Sequence, residues 1–145
     1  MSLYLVTGGA GFVGSYLVRF LLDRGESVRV LDNFSTGKRE NLDEVSSRID
    51  LVEGDLNDQE AVAKAVRDVD FVLHEAAIPS VPRSVDKPME SHEANATGTL
   101  VLLQAAQAAG VGRLVYASSS SVYGANPELP KVETMASMKR LTTPE

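Results

Sequence analysis

Short runs of consecutive apolar residues alternate along the chain with segments whose apolar residues recur every three or four positions. The runs at 3–7, 27–31, 49–53, 69–74 and 113–118 predict strands. In two of them, Phe71, Val72, Leu73 and Leu114, Val115, Tyr116, neighbouring residues are all hydrophobic, as in strands covered on both faces, so the sheet is expected to be parallel and Tyr116 to be core. Between the first two strands, Val13, Leu17, Phe20 and Leu21 form one apolar stripe at i, i+4, i+7 and i+8, and Gly25 supplies the stop. Asn57 is expected to cap a helix over 58–68, where Val62, Ala65, Val66 and Val69 keep helical spacing. The stretch 88–109 differs. Leu100, Val101, Leu102 and Leu103 put apolar groups on more than one face, so it needs the sheet on one side and a further helix or a second subunit on the other. Strand and helix in strict alternation predict an α/β fold, a doubly wound parallel sheet in the order 3-2-1-4-5 with right-handed crossovers.

A length of 145 residues suits one domain, and after Gly124 the pattern gives way to a loop-like tail of prolines, polar residues and methionines. The net charge of −6 offers no basic stripe for a phosphate backbone, which argues against a nucleic-acid partner. With no cysteine there is neither disulfide framework nor thiolate zinc site, and the 2 histidines are too far apart for a metal motif. The apolar start runs into glycines within a few residues and no stretch approaches the ~20 apolar residues of a membrane span, so a cytoplasmic location is expected.

The chemistry gathers at TGGAGFVG, residues 7–14, where an apolar strand ends and the first helix begins. Gly8 suits a turn with φ > 0, Gly11 allows the backbone to approach a ligand, and Gly14 lets helix and strand pack closely. Gly11, Phe12, Val13 and Gly14 open the helix, so their main chain stands where free amides meet an anion. The helix dipole adds only ~0.3–1 kcal/mol for an exposed anion, so several N–H bonds must contribute as well. Asp32, at the end of the second strand, is placed to accept the ribose hydroxyls of an adenosine. Such a carboxylate repels a 2′-phosphate. A Rossmann-type site for NAD rather than NADP is therefore expected, with Lys38 and Arg39 close enough to offset part of the repulsion.

TGGAGFVGS, LDNFSTGKREN, GDLND, HEAAIPSVPRSV, ANATGTL and YASSSSVYG follow one another in this order. In that arrangement the chain resembles the extended short-chain dehydrogenases/reductases, and within them the nucleotide-sugar epimerase/dehydratase branch with its UDP-sugar 4-epimerases, N-terminal part only. The resemblance implies reversible hydride transfer between a nucleotide-sugar carbon and NAD. It implies that Asp32 and Asn33 hold the adenine ribose with Ser35, Thr36 and Gly37 nearby, and that Asp55 and Leu56 frame the adenine. Ala76, Ala77 and Ile78 would line the pyrophosphate and ribose path, Asn95 would brace the centre of the structure, and Ser119 would be the catalytic hydroxyl. Glu75 departs from the pattern, which usually has a neutral side chain there. His74 at a strand end is expected to be a packed or capping residue, while Arg83 is equally well read as a phosphate contact or as an exposed loop side chain.

The same resemblance implies a catalytic Tyr-x-x-x-Lys pair near residue 144. None of Tyr4, Tyr16, Tyr116 and Tyr123 has a lysine four residues on, and the sequence there reads Thr143, Pro144, Glu145. A tyrosine of free pKa ~10 needs a neighbouring cation to act as a base near neutrality, so both members matter. The expectation is a single NAD-binding domain over 1–145 that lacks a C-terminal substrate domain and turns over no sugar by itself. The alternative is a non-catalytic sensor of NAD or regulator of a partner. Self-association through 88–109 is expected from its outer apolar face.

Overall fold

The structure is a computed structural model and describes residues 1–124 and 127–135. Five strands form one parallel sheet: β1 (Leu3–Thr7), β2 (Ser27–Asp32), β3 (Ile49–Glu53), β4 (Phe71–His74) and β5 (Arg113–Tyr116). Their order is β3-β2-β1-β4-β5, as the strand–helix alternation predicts. β1 pairs with β2 from Leu3↔Ser27 and with β4 from Tyr4↔Phe71, so the chain reverses direction across the sheet on either side of β1. A crevice opens at that point, beyond the carboxyl ends of the strands. The helices are α1 (Phe12–Asp23), α2 (Gln59–Val66), α3 (Val81–Asp86), α4 (Pro88–His92) and α5 (Gly98–Ala108). A 3₁₀ segment over Arg39–Arg48 joins β2 to β3, and a π turn over Glu93–Thr97 joins α4 to α5. The described part of the tail, 127–135, contains neither helix nor strand; 125–126 and 136–145, with the position expected for the catalytic pair, lie outside the described residues.

Two apolar layers cover the sheet. On one face Leu5, Leu31, Val52 and Val72 meet Val62, Ala65 and Val66 of α2 and Leu102 and Ala106 of α5. On the other, Val6, Val28 and Val30 meet Val18, Leu21 and Leu22 of α1 together with Leu42 and Val45.

The stripe of α1 is rotated from its expected position. Val13 and Phe20 are exposed and Leu17 is half-buried, whereas Gly14, Val18, Leu21 and Leu22 face the sheet. The helix and the turn after β1 approach each other through Gly14, and that contact sets the rotation. Gly25 ends the helix as expected, with φ +80° and its amide on Leu22 O at 3.1 Å. The cap of α2 shifts by one residue: Asp58, not Asn57, accepts from the amides of Glu60 and Ala61, and Asn57 turns to Asp55 instead. β4 starts at Phe71 because Asp68 takes φ +60° in the preceding turn, although Val69 is buried as expected. Tyr116 is not core. It is 60% exposed and Val115 is 53% exposed, because β5 is an edge strand and only Leu114 reaches the apolar layer among the described residues.

One polar cluster penetrates the sheet end. His74 is 5% exposed, with Nδ1 2.6 Å from Thr7 Oγ1 on β1 and Nε2 2.9 Å from Thr99 Oγ1 on α5. Burial holds its pKa below the ordinary histidine value.

Two outcomes test this packing. Leu102→Ala is expected to lower the free energy of unfolding by about 2–5 kcal/mol in urea titrations, whereas Leu100→Ala, on the exposed side of α5, should change it by less than about 0.5 kcal/mol. Because the unfolded chain binds a proton that folded His74 resists, stability is complete above the unfolded histidine pKa of ~6.5 and declines as pH falls from there through the lower folded value. Urea midpoints measured between pH 7.5 and 5 should show this decline in the wild type and a flatter profile in His74→Phe.

Candidate dinucleotide site

The crevice at the carboxyl ends of β1, β2 and β4 is a cleft of about 700 Å³, the size of a cofactor site. Its floor is the turn between β1 and α1. Gly8 has φ +67°, and a Cβ there would stand 2.7 Å from the amide nitrogen of Ala76, so the end of β4 lies directly against the turn. A Cβ on Gly14 would stand 2.2 Å from Gly8 O, and no relaxation of a side chain could relieve that contact because the atom is backbone. Gly11 caps α1 without any side-chain bond, and no acidic residue occupies the first turn. Of the turn's amides, that of Gly11 is taken by Gly8 O at 3.0 Å and that of Ala10 by Asp32 Oδ2 at 2.9 Å. The first-turn amides of α1, from Phe12 and Val13, line the cleft and have no partner within a helix. The N–H of Gly11 is thus spent within the turn.

Asp32 closes one side. It is 8% exposed, and its Oδ1 accepts from the amide of Phe34 at 2.8 Å while Oδ2 holds Ala10. Each oxygen retains a second lone pair, so a carboxylate already fixed to the turn can also accept hydroxyls from a ligand in the cleft. Asn33 donates to Asp55 Oδ2 at 2.6 Å and its own Oδ1 accepts from the amide of Ser35. This draws Asn33, Ser35, Thr36 and Gly37 round the same wall as Asp55 and Leu56, all of them lining the cleft. The amide of Asn57, then the side chains of Asn33 and Asn57, lower the pKa of Asp55 against the opposing effect of partial burial.

Of the two cations beyond Asp32, Arg39 is engaged elsewhere. Arg39 forms an ion pair with Glu53 at 2.5 Å and stacks 4.0 Å above the ring of Phe34. The amide of Lys38 and the side chain of Asn41 both bond to Ala10 O, which ties this loop to the glycine turn.

On the opposite side the cleft is lined by Glu75, Ala76, Ala77, Ile78 and Pro79. Asn95 does not line it. Its amide group holds the main chain of Ile78, accepting from N at 2.8 Å and donating to O at 3.2 Å. The π turn that carries Asn95 gives it this aim, a wide helical turn of the kind found at functional sites. Burial raises the pKa of Glu75, the direction that lessens its repulsion of an anion. Arg83 does reach the cleft, but it is paired with Glu90, which Lys87 also approaches at 3.5 Å. Glu90 and Ala94 were not legible as lining residues; the one trace was the seven-residue spacing of Arg83 and Glu90, two helical turns. Ser119 lies outside the lining, exposed just beyond β5, and its carbonyl accepts from the amide of Val122 at 3.2 Å.

The described surface thus combines main-chain amides, a fixed carboxylate for hydroxyls and a far wall of Ala76, Ala77, Ile78 and Pro79 flanked by Glu75 and the Arg83–Glu90 pair. Comparison with known proteins agrees with that chemistry. The NAD dependent epimerase/dehydratase family matches residues 4–143. A UDP-glucose 4-epimerase of Erwinia amylovora is 41% identical over 136 residues, 90% of this chain and 40% of that protein. Another, of Klebsiella pneumoniae, is 38% identical over 136 residues, 90% of this chain and 98% of that one. Among solved structures, the Thermus thermophilus UDP-glucose 4-epimerase complex with NAD superposes with a TM-score of 0.82 at 45% identity, covering 91% of this chain and 42% of that one. The UDP-N-acetylglucosamine 4-epimerase from Methanobrevibacter ruminantium, in complex with UDP-N-acetylmuramic acid, gives a TM-score of 0.84 at 36% identity, over 94% of this chain and 44% of that one. The chain therefore spans less than half the length of the Erwinia, Thermus and Methanobrevibacter proteins. Matched almost from end to end, it belongs to the NAD dependent epimerase/dehydratase family.

Proposed function

We propose that this chain holds NAD in the cleft between β1 and β4, as the dinucleotide-binding portion of a nucleotide-sugar epimerase or dehydratase. The observation that carries the reading is the convergence of the uncapped N-terminus of α1 and the carboxylate of Asp32 on one crevice. A Cβ at Gly8 or Gly14 would collide with the backbone of the turn or of Ala76, so only glycine gives the turn this shape, and the donors beside it suit a diphosphate. The first-turn amides of α1 would bond the pyrophosphate, Asp32 the adenosine ribose, and Asp55 with Leu56 would border the adenine. Ala76, Ala77 and Ile78 would border the other half. When bound, the nicotinamide accepts and returns a hydride. Asp32, with Arg39 paired to Glu53, favours NAD over its 2′-phosphorylated form.

As given, the sequence has no tyrosine with a lysine four residues on. This supports a second statement: these residues bind the dinucleotide but do not supply the base that turns over a sugar, leaving Ser119 as the one matching catalytic position. It also keeps the alternative role of NAD sensor or regulatory module in view. We further propose that the exposed Leu100 and Leu103 of α5 mediate self-association, and that the single NAD-binding domain acts in the cytoplasm.

Calorimetric titration should show binding of NAD in preference to NADP. Asp32→Asn should weaken NAD by roughly tenfold or more, the loss of a hydrogen bond to a charged group. Equal affinity of wild type and Asp32→Asn would remove the ribose assignment. A coupled epimerase or dehydratase assay on the purified chain is expected to stay at the buffer baseline; turnover above it would contradict the binding-only reading. Light scattering should detect association that Leu100→Ser with Leu103→Ser reduces.

A further inference from the structure

The wall of the cleft formed by residues 76–78 has no strand or helix of its own, yet both of its ends are held by side chains. The amide of Ala76 donates to Thr7 Oγ1 at 3.3 Å, and Ile78 is held through its N and O by Asn95. These two holds are joined. Thr7 Oγ1 meets His74 Nδ1 at 2.6 Å, His74 Nε2 meets Thr99 Oγ1 at 2.9 Å, and Thr99 Oγ1 donates to Asn95 O at 2.8 Å. A hydroxyl has one proton. Because Thr99 gives its proton to the Asn95 carbonyl, Nε2 of His74 must be the donor toward Thr99. Nδ1 is then the acceptor, and Thr7 gives its proton to it. The ring is therefore the neutral Nε2–H tautomer, and the bonds run in one direction from the amide of Ala76 through Thr7, His74 and Thr99 to Asn95, whose side chain closes on Ile78.

Building on the NAD reading above, we propose that His74 is a positioning residue that, through Thr7 and through Thr99 and Asn95, sets the place of the 76–78 wall and thereby the affinity for the nicotinamide half of the dinucleotide. Two features give this chain leverage. Ala76 is packed against Gly8 with no room for a Cβ between them, so the segment cannot move toward the turn, and a loosened relay lets residues 77 and 78 shift away from it. In addition, β2 and β4 flank β1 on opposite sides, so Asp32 and the 76–78 wall border different halves of a ligand laid across the turn. A disturbance of the relay reaches one half and spares the other. A histidine that only filled the core would not discriminate between them.

The test compares NAD with ADP, which carries the adenosine and diphosphate but lacks the second ribose and the nicotinamide that the 76–78 wall would border. Thr99→Val keeps the shape of the side chain and removes both of its hydrogen bonds in the relay. It is expected to weaken NAD about tenfold, the order of a lost buried hydrogen bond, while changing ADP affinity less than about twofold. Thr99→Ser should restore NAD binding, and His74→Phe should reproduce the valine variant; Thr99→Val decides the matter if the phenylalanine variant does not fold. Equal losses for NAD and ADP, or no loss for either, would overturn the positioning role while leaving NAD binding itself intact. A wild type that binds neither nucleotide is a different result: it removes the dinucleotide reading, and this proposal with it.

Discussion

The structure depends on a close approach of three backbones. The turn after β1, the first turn of α1 and the residue after β4 come together where Gly8 and Gly14 have no side chains, at separations that would put an added Cβ 2.7 Å from Ala76 N or 2.2 Å from Gly8 O. Contacts of that kind cannot be relieved by rotating a side chain. They determine which face of α1 meets the sheet, bring the first-turn amides of that helix over the strand ends, and set the loop after β4 as the opposite wall. The cleft is the space that remains between these elements.

Polar groups then hold that space open in a particular shape. Asp32 is buried, but its two oxygens each take a main-chain amide, so its charge is solvated by the protein and fixed to the turn at once. Asp55, drawn to Asn33 and Asn57, ties the ends of β2 and β3 together in the same way. On the far side the relay through His74 does for the 76–78 segment what a strand ladder would otherwise do. Two walls of the cleft therefore rest on a buried side chain that accepts or passes on hydrogen bonds, Asp32 on one side and His74 on the other.

Membership of the NAD dependent epimerase/dehydratase family accounts for this arrangement. The chain spans under half the length of the Erwinia, Thermus and Methanobrevibacter proteins. Its edge strand β5 and the outer side of α5 carry exposed apolar residues, Val115, Tyr116, Leu100 and Leu103, that single strands and helices of a closed α/β layer normally bury.

Much was readable before any fold was known. Consecutive apolar residues marked the parallel strands, their alternation with helices gave the order of the sheet, and three glycines followed by Asp32 marked the cleft, because local spacing and backbone permissiveness are properties of the chain itself. Other features depended on what lies opposite. The rotation of α1 follows from Gly14 meeting the turn, and the exposure of Tyr116 from β5 being an edge. Asp58 caps α2 because Asp55 has drawn Asn57 away, and Gly11 spends its amide on Gly8 O. Glu90 enters the cleft, and Asn95 supports it from behind, only through how α4 and the π turn fold back on the segment after β4. Sequence determines what each residue is able to do, whereas partners far apart along the chain decide which of those abilities is used, since burial and hydrogen-bond satisfaction exist only once the segments have packed.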